Sequence, residues 1–422
     1  MSVHSNSILD QSVNAPGFFD NPYPVYQRLR SEDPVHWSEL WQAWVVTRYD
    51  DVMAILRDPD HFSNAGRQAR LLDRFPAEAQ AKLQPLAQHY ATGGLINSDP
   101  PTHTRLRALI NKAFTPRMVE HMRARIQEIV DELLNAVLDK EQMDAILDLA
   151  YPLPAIVIAE MLGAPKEDRD RFKIWSEDIN AFLGTGRPRV DYADRAQQSL
   201  LEMKAYMRHL LTDRQQQPQD DLLTGLATAE EQGHVLGEDE LLATCVTLLI
   251  AGHETTTNLI GNGLLALFDH PDQLEKLKDD PSLIHGAVEE VLRYDGPVHS
   301  LKRVTTGDVE FGGRQIKKGE LVYAMLGAAN RDPAQFSKPN LFNITRSRRE
   351  NRHIAFGYGI HFCLGAPLAR LEAPIALNAM LQRLEGLRPA QNPPIWQKNM
   401  SIRGLASLPV RFGKVQEKAA VG

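Results

Sequence analysis

Apolar residues recur at helical spacing along most of this chain, and the pattern predicts helices near 22–31, 49–58, 105–113, 117–137, 153–163, 166–182, 192–217, 237–269, 283–294 and 366–384. Strand-like alternation is rare. It occurs near 35–38, 43–47, 302–305 and 309–326, where Val309 to Ile316 reads as a hairpin turning at Gly312-Gly313. A mainly helical fold with a small sheet is expected. The 60–100 stretch is polar, with Pro and Gly at its end, and reads as a long mobile excursion between helices. The most linker-like segment, Gln215 to Asp221, runs straight into further helical pattern, and no internal repeat stands out. One domain over residues 1–422 is expected, with flexible ends at 1–18 and 414–422.

Length alone, 422 residues, would suggest two or three domains, so the missing linker changes that picture. Lys+Arg number 47 against 54 Asp+Glu, a net −7 that lacks the basic excess of a nucleic-acid binder. The two cysteines, Cys245 and Cys363, allow no disulfide framework and no Cys-x-x-Cys redox or zinc pair, which fits a reducing cytoplasm. The N-terminal stretch has no basic start followed by an apolar run, and no uncharged apolar stretch of about 18 residues occurs, so neither secretion nor a membrane anchor is expected.

Three motifs carry chemistry. Phe356-Gly-Tyr-Gly-Ile-His-Phe-Cys-Leu-Gly365 sets three glycines around Cys363 just before a helix, where glycines permit positive φ and free amides can point at the sulfur. Such a Cys reads as a stabilised thiolate, better suited to one axial bond to haem iron than to four-ligand zinc. Taken alone, the pattern suits a buried free thiol in a Gly-rich turn equally well. Inside the 237–269 helix, Ala251-Gly-His-Glu-Thr-Thr256 places Glu254 beside Thr255, a proton source next to a hydroxyl that can hold water or oxygen. Gly252 and the Thr run should weaken the helix ladder locally; alone, this is a polar helix face. Glu290-Val-Leu-Arg293 puts opposite charges three apart on a helix, which by itself says little. Gly261-Asn-Gly-Leu-Leu-Ala266 imitates a dinucleotide fingerprint but lies within a helix and is read as packing.

In order and separation these motifs resemble the cytochrome P450 family, the haem-thiolate monooxygenases, and its soluble bacterial members in particular. The likeness covers nearly the whole chain, including Asp99-Pro-Pro-x-His-x-Arg-x-Arg107, Arg303 in the first strand after Glu290-Arg293, and Asn351-x-His353. It implies a single-domain cytochrome P450 fold around haem b, with Cys363 as axial ligand and with Phe356, Gly365 and Ala251 against the cofactor. It also implies His103, Arg107, Arg303 and His361 as propionate partners, Thr255 and Glu254 as the oxygen-activating pair, and Glu290, Arg293 and Arg346 as a structural charge network. Asn343 departs from the family, which usually has Asp there, and should alter only local hydrogen bonding.

The implied reaction inserts one atom of O2 into a C–H or C=C bond of a medium-to-large hydrophobic substrate. A macrolide, steroid, terpenoid or fatty acid would fit, with Arg67 or Arg70 as the partner of a fatty acid's carboxylate. Pocket walls are expected from Val246, Leu249, Ile250, Val298, His299, Leu301 and Ile402, with a further contribution from 60–98 and 170–195. Electrons would come from a separate ferredoxin or flavodoxin with its NAD(P)H reductase, met by a basic side built from Arg105, Arg107, Lys112, Arg117, Arg123, Arg125 and the cluster Arg346, Arg348, Arg349, Arg352. A monomer is expected, with no nucleic acid or membrane partner. A peroxide-driven peroxygenase and a non-catalytic haem sensor or carrier are the alternatives, although neither needs the Glu254-Thr255 pair.

Overall fold

The helix expected over 237–269 runs from Glu238 to Asp269 and forms the axis of the structure, a computed structural model that describes residues 8–13, 15–91, 94–184, 189–390 and 393–413. It is buried on nearly every side, as its continuous apolar pattern requires. Helices Pro152–Met161, Arg169–Gly184, Val190–Gln216, Ile284–Asp295 and Ala366–Arg383 pack around it, and their apolar faces merge into one core. The chain forms a single domain, mainly helical with small sheets. Among the described residues no helix is long and apolar enough to cross a membrane.

The largest sheet has five strands, in the order Val35–Ser38, Ala43–Val46, Leu321–Ala324, Leu301–Thr305 and Phe62–Ser63. Only the pairing of Leu321–Ala324 with Ala43–Val46 is parallel; the rest are antiparallel. This sheet carries Arg303 toward the site described below. The expected stretch 309–326 divides into the hairpin Val309–Phe311 and Arg314–Ile316, followed by the separate strand Leu321–Ala324. Gly312 and Gly313 have φ of +56° and +74°, the left-handed pair that a two-residue hairpin turn needs.

Several expectations need correction. The N-terminus is not loose from residue 8 onward: Ile8–Ser12 is helical, and Leu9 and Phe18 are buried against Tyr26, Leu29, Trp41 and Met325. Residues 1–7, 14 and 414–422 lie outside the described residues. The 60–100 stretch holds helices Ala69–Leu72, Ala77–Lys82 and Gln84–Ala91, and Leu72, Phe75, Leu83, Leu86 and Tyr90 anchor it in the main core. Its anchors fall at irregular spacing between polar residues, so they give no clear period. The expected 117–137 helix is two, Pro116–His121 and Arg123–Asn135. A further helix, Pro271–Asp279, starts directly after His270, where Pro at the first position is favourable.

Candidate active site

Cys363 sits just before the Ala366–Arg383 helix, on a loop that folds back so that its amide donates to the Phe356 carbonyl at 3.0 Å. Gly357 and Gly359 both have φ of +72°, and a Cβ on Gly359 would lie 2.5 Å from the Leu56 carbonyl oxygen. Backbone hand and close approach therefore both demand glycine at 359. Gly365 differs, since its φ of −79° suits any residue. The amides of Gly365 and Ala366 hydrogen-bond the sulfur, as a turn entering a helix allows. Even so, burial pushes the Cys363 thiol up, against the pull of those amides and of Arg107 and Arg370. The expected stabilised thiolate thus needs a cation on the sulfur, which a coordinating metal supplies. Among the described residues no group of three or more His, Cys, Asp or Glu gathers as a metal cage, so the protein offers one bond through Cys363. Cys245 is a buried packed thiol, pushed up to about 12 by burial.

Beside the loop lies a cluster of donors without acceptors. The His103 and His361 rings are 4.3 Å apart, and both ring nitrogens of His103 and Nε2 of His361 are buried without a hydrogen-bond partner. Burial, then His103 and the neighbouring arginines, hold His361 down to about 2, and burial with Arg107 lowers His103. Arg303 is buried and, among the described residues, donates only to the Lys302 carbonyl, at 2.9 Å; burial and Arg67 press it down to about 9. Arg107 donates to the Phe362 carbonyl at 3.0 Å. The nearby acid Asp99 is engaged by Ser63 and the Asn64 amide. Buried donors of this kind are costly unless an anion meets them. Two carboxylates held between Arg303, His103, His361 and Arg107 would satisfy the cluster, so the residues present fit haem b with its paired propionates.

On the long helix, Thr255 Oγ1 donates back to the Ala251 carbonyl at 2.8 Å, and Gly252 leaves room for Ile158, 3.7 Å from where its Cβ would be. The helix nevertheless continues unbroken. Burial, and then the like charge of Glu177, push Glu254 up to about 7. Neither Glu177 nor Tyr151, which also faces this charge, was singled out in the sequence. His253 turns away, with Nε2 3.2 Å from the Tyr151 carbonyl and its ring against Tyr151.

Glu290 and Arg293 are fully buried and bidentate, at 2.8 Å for both contacts. Arg346 completes the triad at 3.2 Å, and the Asn343 amide donates to Glu290 at 2.9 Å. Asn343 Oδ1 accepts from Thr345, the local change expected of that departure. A second network was missed: Glu289 holds both His353 and Arg370, at 3.0 and 2.6 Å, and Arg370 lies over Phe356.

Two cavities lie near the site, one against the long helix at Ala251 and one against Leu301 and Lys302 of the strand. One is apolar, walled by Leu86, Tyr90, Ile179, Leu200, Val246 and Ile250, and reaches Ala251. The other is lined by Arg67, Asn180, Leu301, Lys302, Ser401 and Ile402. Gln68 and Leu183 belong to both. Leu249 and Val298 line neither; Leu249 is in the core and Val298 pairs with Ile402 in an isolated bridge. His299 is a clear correction. Its Nδ1 lies 3.1 Å from the Tyr26 hydroxyl and its ring packs against Tyr23 and Tyr26, so it belongs to a buried network with Asp295 and Arg403. Arg70 is also removed from this role: it is exposed and lies against Gly319.

The expected basic side is thinner than the sequence suggests. Arg105, Lys112, Arg123 and Arg125 each pair with a glutamate. Exposed Arg117, Arg348 and Arg349 carry no ion pair among the described residues, and the Cys loop exposes Tyr358, Ile360 and Phe362.

Residues 39–412 match the family model for Cytochrome P450. The chain is 42% identical to the polyketide biosynthesis cytochrome P450 PksS of Bacillus subtilis, over 94% of this chain and 97% of that one. It is 41% identical to the cytochrome P450 monooxygenase PikC of Streptomyces venezuelae, over 98% and 96%. The solved structure of P450BioI in complex with hexadec-9Z-enoic acid ligated acyl carrier protein superposes with a TM-score of 0.86, at 39% identity over 94% of this chain and 99% of that one.

Proposed function

The chain belongs to the cytochrome P450 family, haem-iron monooxygenases that use O2, and on that premise we propose that it oxygenates a medium-to-large hydrophobic molecule with electrons from a separate protein donor. The observation that carries this reading is the apolar cavity that reaches Ala251, one helical turn before Thr255. Bound haem b supplies the oxygen activation and the insertion of one atom into substrate.

The residues divide that work. Cys363 presents its sulfur from a loop whose backbone is fixed by Gly357 and Gly359, and its two amide partners orient it. Arg107, Arg303, His103 and His361 would hold the propionates. Glu254, poised near neutrality, takes up and releases a proton at its carboxyl. Thr255 Oγ1, while donating to Ala251, still offers lone pairs to a water or hydroxyl in the cavity. Leu86, Tyr90, Ile179 and Ile250 exclude bulk water and seat the hydrocarbon.

The test is turnover with a ferredoxin, its reductase and NADPH, set beside turnover on peroxide alone. The donor-driven route should dominate. Thr255→Ala should keep haem, yet release more peroxide and make about tenfold less product per electron. Unchanged coupling in that variant, or a wild type driven only by peroxide, would sink the assignment.

The donor's place is the Cys-loop face, where exposed aromatic and aliphatic residues lie with the unpaired arginines, a surface suited to a small acidic ferredoxin or flavodoxin. Arg117→Glu together with Arg349→Glu should slow association about tenfold at low salt and flatten its salt dependence. Stopped-flow reduction at several ionic strengths checks this; identical rates would exclude these arginines.

A further inference from the structure

We propose that Glu289 and Arg370 are positioning residues that set the charge behind the Cys363 sulfur, so that this ion pair governs how readily the haem-loaded protein accepts its first electron. The inference rests on the monooxygenase reading above and deepens it.

The pair is built by two helices that pack together behind the Cys loop. Glu289 precedes the enclosed Glu290 on Ile284–Asp295, and the step of about 100° between helical neighbours turns it from the core toward His353. Arg370 lies four residues after Ala366 on Ala366–Arg383, hence on the same face, and the Ala366 amide is one of the two that hydrogen-bond the sulfur. The contact is a planar fork: Arg370 Nε donates to Glu289 Oε1 at 2.6 Å, and a terminal nitrogen donates to Oε2 at 2.9 Å. His353 reaches the same carboxylate, with Nε2 3.0 Å from Oε2. Its Nδ1 accepts the Ala355 amide at 3.3 Å, so the hydrogen sits on Nε2 and is donated to Glu289. Burial pushes Glu289 up, but hydrogen bonds from His353 and Arg370 hold it down to about 2, and the carboxylate is charged at neutral pH.

Contacts through Phe356 tie the pair to the sulfur. The Arg370 guanidinium lies 4.5 Å from the centre of the Phe356 ring, the His353 ring packs 6.3 Å from it, and the Phe356 carbonyl accepts the Cys363 amide at 3.0 Å. The charges of Arg107 and Arg370 both favour the thiolate. Arg370 differs in having a carboxylate against it. Glu289 therefore offsets part of the pull of the guanidinium and leaves more electron density on the sulfur. Bracing alone does not explain this placement, since Glu290, Arg293 and Arg346 already fix the segment leading to the loop from full burial. Glu289 and Arg370 each keep over a third of their side-chain surface exposed, so solvent screens the effect and its expected size is modest.

The test is a spectroelectrochemical titration of the haem-loaded wild type, Glu289→Gln, Arg370→Gln, Arg370→Lys and the double variant Glu289→Gln/Arg370→Gln. Glu289→Gln should shift the one-electron equilibrium toward the reduced form about threefold, which is about 30 mV upward at about 59 mV per tenfold. Arg370→Gln should shift it about as far downward, while Arg370→Lys and the double variant should stay close to wild type. Opposite signs separate a charge effect from a structural one, because each single Gln variant breaks the same contact and loosening alone would move both the same way. Single variants that shift together, or that leave the equilibrium unchanged, overturn the proposal. The reduced carbon monoxide spectrum is recorded for every protein, and a Gln variant that loses the thiolate-type band also overturns it, since the pair would then hold the ligand in place instead of tuning it. A wild type with no thiolate-type spectrum overturns the monooxygenase reading itself, and this inference with it.

Discussion

Cys363→Ala should give a folded protein that still takes up haem yet lacks the thiolate-type band of the reduced carbon monoxide complex, with product formation below about one-thousandth of wild type. The reasoning starts from the loop. Its conformation is set by two positive-φ glycines and by the hydrogen bond from the amide of residue 363 to Phe356, and none of these needs a sulfur atom. The donor cluster that would hold the propionates is separate, built from the Leu301–Thr305 strand, the Thr102–Ala113 helix and the loop around His361. Haem retention should survive the substitution because those donors remain. What disappears is the soft sulfur that would hold the iron, together with the pull of its two amide donors and of Arg107 on it. Loss of a single half-buried sulfur costs about 1 kcal/mol of packing, too little to unfold the chain. Alanine is the right replacement, since serine could still coordinate through oxygen. The reduced carbon monoxide spectrum and product formation are the two readouts. A variant that kept the thiolate-type band would remove Cys363 as the ligand.

The contrast between what was legible in the sequence and what was not follows one physical division. The long helix, the Cys loop and the Gly312-Gly313 hairpin could be read because each is fixed by local rules: apolar period, positive-φ glycines, a two-residue turn. Cys363, Glu254 and Thr255 could be singled out as candidates because they sit inside such local patterns. Lys302 could not. Its burial beside Arg67 and Arg74 is set by a segment more than two hundred residues earlier. His299 failed in the other direction, since position beside the pocket suggested a wall while Tyr23 and Tyr26 from the N-terminal segment claim its ring. The basic side was overstated for the same reason: Glu230–Glu231 and Glu238–Asp269 bring glutamates from far along the chain onto Lys112 and Arg105. Long-range ion pairing has no period in sequence, so every error of this kind concerns a side chain whose partner is distant.

Glu290→Ala should leave little soluble, haem-loaded protein, because it removes the carboxylate that pairs with two enclosed guanidinium groups. Spacing of three on a helix ordinarily contributes a few tenths of a kcal/mol, and the sequence offered no more than that. The structure changes the scale. Glu290 and Arg293 have no exposed side-chain surface, and one carboxylate serves Arg293 twice, Arg346 and the Asn343 amide. Arg293 also donates to the carbonyls of Asn330, Pro339 and Leu341, which fixes the segment leading toward the Cys loop. Deleting the carboxylate strands both cations where water cannot reach, at a cost of about 3–5 kcal/mol, against a total stability on the order of 5–15 kcal/mol. The neighbouring Glu289 provides the control. It binds His353 and Arg370, but both it and Arg370 are more than one-third exposed, so Glu289→Gln should cost only about 1 kcal/mol. Urea unfolding midpoints of the two variants, with the fraction recovered soluble where Glu290→Ala gives no usable transition, decide the matter. Equal loss in both would mean that burial does not set the energetics here, and that the Glu290 triad holds the Cys-loop side no more firmly than a surface pair would.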